Sequence, residues 1–495
     1  VARVVKGRTD SVVVVGAGLA GLSSALHLRG AGHEVTVLEQ QSHPGGLAGR
    51  LDVAGHLIDT GPTVLTMPEL LEDAFAAVGG RLADHLDLVP LHPAYRARFV
   101  DGSTLDVHTD ATEMEHAVSE FAGDREAEGY RELRAWLTRL YQVERDRFIG
   151  ASFDSPLDLL GRDVVTLARL GGFGSLSRAV GRFLRDDRLR RVFTFQSLYA
   201  GVSPTDALAA YAVIAYMDTV AGVWFPRGGM RAVPQALADA AATAGVRFHY
   251  DAEVVSLDRA GPRATAVRTT TDRFPCDSVV LATGLARSTQ LLQGGPRRPR
   301  PLRWSPSAVV VHLSTRRLVG VPAHHTISFG AAWKRTFDEI IREGRLMSDP
   351  SVLLTTPTLT DPGSAPEGRH LQYLLAPCPN LDAAAIRWDV TGARYAEEII
   401  GELVDRALLD TDVEVLSVVT PDDWARSGQA SGTPFSAAHT FGQTGPFRPR
   451  NLPFRDGNIV LAGSGTTPGV GIPPVLISGR LAAERLRAAR RRSNS

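Results

Sequence analysis

Val12-Val13-Val14-Val15-Gly16-Ala17-Gly18-Leu19-Ala20-Gly21 is the stretch that decides the fold of this chain. Four consecutive β-branched residues read as a strand buried on both faces, the pattern of a parallel sheet. The glycines open a helical stretch to about Arg29, and Gly30 and Gly32 mark its end. Glu34-Val35-Thr36-Val37-Leu38 then reads as a second strand, closed by Glu39. Strand, glycine turn, helix, strand and terminal acid make the βαβ fingerprint of a dinucleotide-binding fold. Gly16 permits the tight turn, Gly18 lets backbone approach a pyrophosphate, and Gly21 lets the helix pack on the strand. Ala17, Leu19 and Ala20 complete a turn whose helix N-terminus offers free N–H groups and positive dipole to phosphates. Glu39 accepts ribose hydroxyls and repels a 2′-phosphate, which disfavours NADP, and Gln40 is grouped with it.

Working outward, Pro44-Gly45-Gly46, then Arg50, then Asp59-Thr60-Gly61-Pro62-Thr63 resemble the extended FAD signature of flavin oxidases, in which the chain returns across the pyrophosphate towards the flavin. Paired glycines allow close backbone approach, and Gly61-Pro62 makes a stiff turn. Arg247 to Tyr250, Glu253 to Leu257 and Cys276 to Leu281 read as strands, the last ending in Ala282-Thr283-Gly284. Val254 in this region is counted among the cofactor-binding residues. Asn458 to Ala462 is a further buried strand, followed by the glycine-rich run Gly463 to Pro474 and a helix from about Val475 to Arg492. Gly463, Ser464, Gly471 and Ile472 are expected against the flavin, where a helix N-terminus stabilises negative charge on reduction. The expected architecture is α/β: a discontinuous Rossmann-type FAD-binding domain with an inserted α+β substrate domain. Residues 10–75, 225–290 and 455–492 are assigned to the first, and 76–224 and 291–454 to the second.

Composition narrows the function classes. The chain has 495 residues, 44% hydrophobic and 22% charged, which suits two or three globular domains. Its 54 basic residues balance 54 acidic ones, so no global charge favours nucleic acid. Lys6 and Lys334 are the only lysines, a compositional bias towards arginine. Cys276 and Cys378 cannot supply a disulfide framework or a cysteine-rich metal site, and no metal ligand set is expected. Val1 to Asp10 shows no apolar secretory pattern, and the longest apolar stretch, Ala207 to Met217, has 11 residues where a spanning helix needs about 20. A cytoplasmic protein with contact at a membrane surface is the expectation. Gly171-Gly172-Phe173-Gly174 follows no strand, so there is no second dinucleotide fingerprint. That favours an oxidase or desaturase over an enzyme that docks a nicotinamide.

The chain resembles the bacterial phytoene desaturase family of carotenoid oxidoreductases, within the flavin amine oxidase-like proteins, over nearly its whole length. The resemblance rests on Val15 to Leu22, Pro44-Gly45-Gly46, Asp59 to Val64, Gly222-Val223-Trp224-Phe225-Pro226-Arg227-Gly228-Gly229, Phe447-Arg448-Pro449 and the Gly463 to Pro473 loop, with His324-His325-Thr326 in the middle region. It implies FAD-dependent introduction of double bonds into phytoene, commonly through to lycopene, with quinone or oxygen as electron acceptor. Two positions depart from the pattern: Leu47 stands where the family has arginine after the glycine pair, and Thr467 where some relatives have histidine.

A polyene offers no hydrogen-bonding handle, so its site must be a long apolar tunnel. Ala207 to Met217, Val309 to Val311 and Ile327 to Phe329 are candidate linings. For catalysis, Arg227 is expected to stabilise reduced flavin, and Asp158 or Asp218 to take a proton. His324 and His325 are read as structural or rim residues. The run Arg485, Arg487, Arg490, Arg491 and Arg492 is expected to touch anionic lipid or to end a solvated helix. Three alternatives stay open: a carotenoid cis–trans isomerase, a flavin amine oxidase, and a non-catalytic prenyl-chain carrier, the last disfavoured by the intact fingerprint.

Overall fold

The computed structural model describes residues 2–159, 161–293, 301–320 and 322–487. Strand β1 (Ser11–Val15) enters the glycine turn, helix α1 (Leu19–Gly30) follows, and strand β2 (Glu34–Leu38) returns beside β1. These two strands are the middle of a five-stranded, wholly parallel sheet. Arg247–His249 lies outside β2, and Ser278–Leu281 and then Ile459–Leu461 lie on the other side of β1. One sheet is thus assembled from three stretches far apart in sequence.

The valine run behaves as β-branched residues on a doubly covered strand should. Val12 and Val14 join the main core, where α1 packs. Val13 and Val15 join a separate core with Leu38, Val254, Leu257, Ala264 and Val267. The last four belong to a three-stranded antiparallel sheet, Val254–Ala260, Arg263–Thr269 and Arg273–Pro275, that covers the opposite face. Helix α1 is buried nearly all round, which fits a helix apolar on every side. Against it lies the last described helix, Ile472–Leu486, at a distance only glycine allows: a Cβ on Gly479 would overlap the Ala20 carbonyl oxygen. That helix starts three residues before the expected Val475, because Pro473 and Pro474 occupy its first turn, where a missing N–H costs nothing.

A hairpin, β3 (Arg50–Val53) with β4 (His56–Asp59), links this sheet to the rest. A seven-stranded sheet follows in the order 413–419, 307–315, 370–378, 352–355, 325–329, 95–99, 104–107. It is antiparallel except where 325–329 runs parallel to 95–99. Helices between residues 111 and 221 pack with one end of it.

Two expectations are corrected by the packing. Val309 and Val311 point into a second core beneath helix Trp388–Asp405, while Val310 packs with Tyr373 and Trp424. They are sheet core. Ile327 and Phe329 lie instead in the main core, where Phe99, Phe329, Phe195 and Tyr95 form a chain of ring contacts at 5.2, 6.2 and 5.5 Å. Ala207, Ala209, Ala212 and Ala215 share that core.

The C-terminal arginine run is the second correction. Arg485 is only 1% exposed and pairs with Asp154 at 2.9 Å. Its guanidinium also donates to the Arg3 carbonyl and Asn451 Oδ1. It therefore clamps the last helix to the N-terminal segment, with no face left for lipid. Breaking a buried pair of this kind costs about 3–5 kcal/mol, because the remaining charge is left unpaired. Arg487 is exposed at the helix end, and Arg490, Arg491 and Arg492 lie outside the described residues.

Candidate functional site

Because the five strands are parallel, their carboxyl ends share one edge, and the glycine-rich segments all emerge there. At Gly16 (φ 101°) the chain turns so tightly that a Cβ would meet the Ala282 carbonyl oxygen at 2.9 Å. A Cβ on Gly21 would overlap the Gly16 carbonyl itself, so that glycine serves the turn as much as helix packing. Gly18 caps α1 with no side-chain hydrogen bond, leaving N–H groups of the first turn open to a ligand.

Glu39 is buried, and its carboxylate accepts Ala17 N–H at 2.7 Å and Gln41 N–H at 2.9 Å. The expected ribose acceptor thus also braces the glycine turn, and a carboxylate keeps lone pairs beyond these two. Gly45 donates to the Ala17 carbonyl at 3.0 Å, and a Cβ on Gly46 would lie 3.1 Å from Gly18 Cα. The second glycine turn therefore lies directly on the first. Gln40 and Arg50 are exposed beside it, whereas Val254 is core on the opposite sheet face.

Asp59 ties the next segment down. Its carboxylate accepts the N–H groups of Met230 (2.8 Å) and Arg231 (3.1 Å), joining β4 to the Pro226-Arg227-Gly228-Gly229 motif. Burial pushes its pKa up to about 6. From there Thr60, Gly61, Pro62 and Thr63 run under the seven-stranded sheet: Tyr373 donates to the Gly61 carbonyl (3.2 Å) and Thr355 to Thr63 Oγ1 (3.4 Å). Thr355 Oγ1 also contacts His325 Nδ1 at 3.0 Å. With the Thr355 proton directed at Thr63, its oxygen accepts Nδ1–H and leaves His325 Nε2 a bare lone pair. His325 is 2% exposed, and its Nε2 has no hydrogen-bond partner. Neighbouring His324 is also buried; burial holds it down at about 3 and lowers His325 further, so both rings are neutral.

The Gly463–Ile472 loop closes the site. Gly463 approaches Ala20 at the start of α1, and its N–H donates to Ser478 Oγ (3.0 Å). Behind the loop Arg448, 2% exposed, donates to the carbonyls of Ser464 (2.7 Å), Thr466 (3.0 Å), Gln443 and Ala437. Gly471 caps helix Ile472–Leu486 without a side-chain bond, a second open N-terminus at the same edge. Glycine turns stripped of side chains, two open helix termini and a buried acid fit an adenine dinucleotide carrying a pyrophosphate and a ribose diol.

Comparison with known proteins decides which. The family described as flavin containing amine oxidoreductase matches residues 19–487. A Streptomyces griseus protein called phytoene dehydrogenase is 61% identical over 98% of this chain and 97% of its own. The chain belongs to the phytoene desaturase family. A zeta-carotene-forming phytoene desaturase of Myxococcus xanthus is 35% identical over 96% of this chain and 93% of its own, and a lycopene-forming one of a Paracoccus strain 33% identical over 96% of each. The fold is that of an oxidoreductase from Methanosarcina mazei, with a TM-score of 0.63 at 18% identity over 96% of this chain and 99% of that one. This desaturase-family chain is an FAD-dependent oxidoreductase acting on CH–CH groups.

The three expected catalytic side chains do not gather at this edge. Arg227 is exposed, paired with Asp87 at 2.8 Å and donating to the Thr360 carbonyl. Asp158 is exposed and accepts the N–H groups of Asp154 (2.7 Å) and Ser155 (2.9 Å), as a capping residue does. Asp218 alone is interior, 7% exposed beside Gln196, with Oδ1 unpartnered. Burial raises it well above the carboxylate range, so it holds a proton at neutral pH and is no resting base. The sequence pattern does not single out His325 as functional, nor Tyr373, Arg231 or Arg448. Only Arg448 carries a signal, through the Phe447-Arg448-Pro449 motif.

Asp218 yields a sign-definite prediction. It is protonated when folded and ionised when unfolded, so its contribution is intact below ordinary carboxylate pKa values and is lost as pH rises towards the folded value. Denaturant unfolding of the apoprotein between about pH 5 and 8 should show Asp218→Asn gaining on wild type by up to about 1.4 kcal/mol per pH unit. A difference that stays flat with pH contradicts a buried, protonated Asp218.

Proposed function

We propose that the protein desaturates phytoene, carrying it to lycopene, with FAD held by Gly16–Gly21, Glu39, Gly45–Gly46, Thr60–Thr63 and the Gly463–Ile472 loop. In this reading residues 10–75, 225–290 and 455–492 make the cofactor unit, and 76–224 and 291–454 the substrate unit. The observation that carries it is the 61% identity to the Streptomyces phytoene dehydrogenase along the full chain, together with the side-chain-free edge described above. When bound, FAD supplies an oxidised ring able to accept a hydride. The protein's part is to position an apolar chain and to provide for the proton lost from the adjacent carbon. His325 Nε2 supports the second of these roles, being an unpartnered lone pair in a dry interior, joined through Thr355 to Thr63. A neutral imidazole is a weak base there, yet deprotonating a carbon beside an allylic cation asks little of a base.

No helix among the described residues is long and apolar enough to cross a membrane. Leu157, Val165 and Phe173, at 70%, 50% and 42% exposure, are the proposed lipid contact, with Arg162 and Arg169 exposed between them. Apolar residues interleaved with cations suit an anionic membrane surface. A quinone dissolved in that membrane is the proposed electron acceptor, with oxygen as the alternative.

Expression in a bacterial host that makes phytoene tests the reaction. The expected outcome is a red pigment with the spectrum of lycopene, absent from the empty-vector control; a pale product means fewer bonds, and unaltered phytoene with FAD-loaded protein sinks the reading. His325→Leu should lower pigment formation by about a hundredfold with FAD content kept, and wild-type pigment levels would remove His325 from the mechanism. In fractionated cells, changing Leu157, Val165 and Phe173 to Glu should move the protein from membrane to supernatant. An unchanged distribution refutes the lipid contact.

A further inference from the structure

The Arg231 guanidinium lies against the Gly45–Gly46 turn, and the charge of Arg50 acts on it from the β3–β4 hairpin. Arg231, at the start of helix Ala232–Thr243, reaches across to donate to the Pro44 carbonyl at 2.5 Å. Its Nη1 lies 3.6 Å from where a Cβ on Gly45 would stand. Its backbone N–H is fixed by Asp59, whose own backbone is paired across the β3–β4 hairpin with that of Arg50. The side chain is thus held from both ends at the lip of the turn that rests on Gly18. Arg50 is near enough that, after burial, its charge is the largest influence lowering the proton affinity of Arg231.

Like charges in a partly desolvated place repel unless anions offset them; Asp59 feels the charge of Arg50, and Asp239 raises the proton affinity of Arg231 by less than Arg50 lowers it. Gln235 Oε1, at 3.3 Å, accepts a hydrogen bond from Arg231, and it is neutral. Along the same rim Tyr250 senses the charges of both Arg231 and Glu39, so Arg231 stands within the electrostatic reach of the ribose end of the site. Leu47, next to the glycine pair, is 36% exposed and brings no charge.

We infer that Arg231 is an FAD-binding residue whose guanidinium, steered by the Pro44 carbonyl and Asp59, presents positive charge to the cofactor's pyrophosphate at Gly45–Gly46. Arg50 adds a second charge from the hairpin. The inference rests on the glycine-edge reading of the cofactor site given above. It places a cation at the turn where the family's arginine after the glycine pair is replaced by Leu47.

The test is titration of apoprotein with FAD, followed by quenching of flavin fluorescence at several salt concentrations. Charge-assisted contacts of this kind correspond to about a ten- to hundredfold change in affinity. Arg231→Gln retains a donor for the Pro44 carbonyl without charge, and Arg231→Lys retains the charge. The expected result is Kd raised about ten- to hundredfold in Arg231→Gln with a flatter salt dependence, and largely restored in Arg231→Lys. Adding Leu47→Arg to Arg231→Gln should recover affinity by returning a cation to the same turn. Wild-type affinity and salt dependence in Arg231→Gln overturn the inference, as does a loss of equal size in Arg231→Lys. Gly18→Ala in the same assay separates the two readings: if it too leaves FAD binding intact, the cofactor site itself is misplaced. Melting temperatures of the apoproteins, expected to match, show that a lost affinity is not lost fold.

Discussion

Backbone lying on backbone at Gly18 and Gly46 is the contact on which the rest of the structure depends. Two turns, one ending the first strand and one following Glu39, meet with no side chain between them. That contact is possible only where a Cβ is absent, and it leaves a shallow edge lined by amide groups rather than by side chains. Glu39 holds the same turn through Ala17 N–H, so a carboxylate at the end of the second strand sets the shape of the cradle. Three later segments pack around these turns and α1: Gly463 against Ala20, the last helix against α1 through Gly479, and Asp59 against the 228–231 turn.

Burial then divides labour among the ionisable groups. At the edge, charges are partly wet and paired with backbone. Away from the edge, Asp218 keeps its proton and His324 and His325 lose theirs, whereas buried Glu339 and Asp154 stay ionised against Arg335 and Arg485. The chain of aromatic contacts from Phe99 to Tyr95 forms an apolar interior of the kind a hydrocarbon ligand needs. Arg448 is a buried cation that donates to four carbonyls, two of them in the 463–472 loop.

The first strand, helix and second strand are legible in the sequence because their signals are local: a β-branched run, a glycine turn, an acid at the strand end. The 463–472 loop is legible for the same reason, its glycines and prolines marking a strand-to-helix turn. Contacts between distant segments leave no such trace. Nothing near Arg485 in sequence announces Asp154 and Arg3, so its local pattern is that of a solvated helix end. Nothing near Arg231 announces Pro44. Val309 to Val311 look like any apolar lining until helix 388–405 is seen to cover them. Catalytic side chains are the least legible of all, because Arg227 and Asp158 qualify by residue type alone and exposure is a property of the fold.

The most direct test is anaerobic mixing of FAD-loaded protein with phytoene in liposomes, followed by the visible absorption of the bound flavin. The predicted result is bleaching of oxidised flavin in step with the appearance of a more conjugated polyene, one double bond for each flavin reduced. A polyene that changes geometry, or stays as it was, while the flavin remains oxidised would contradict desaturation by hydride transfer to this flavin.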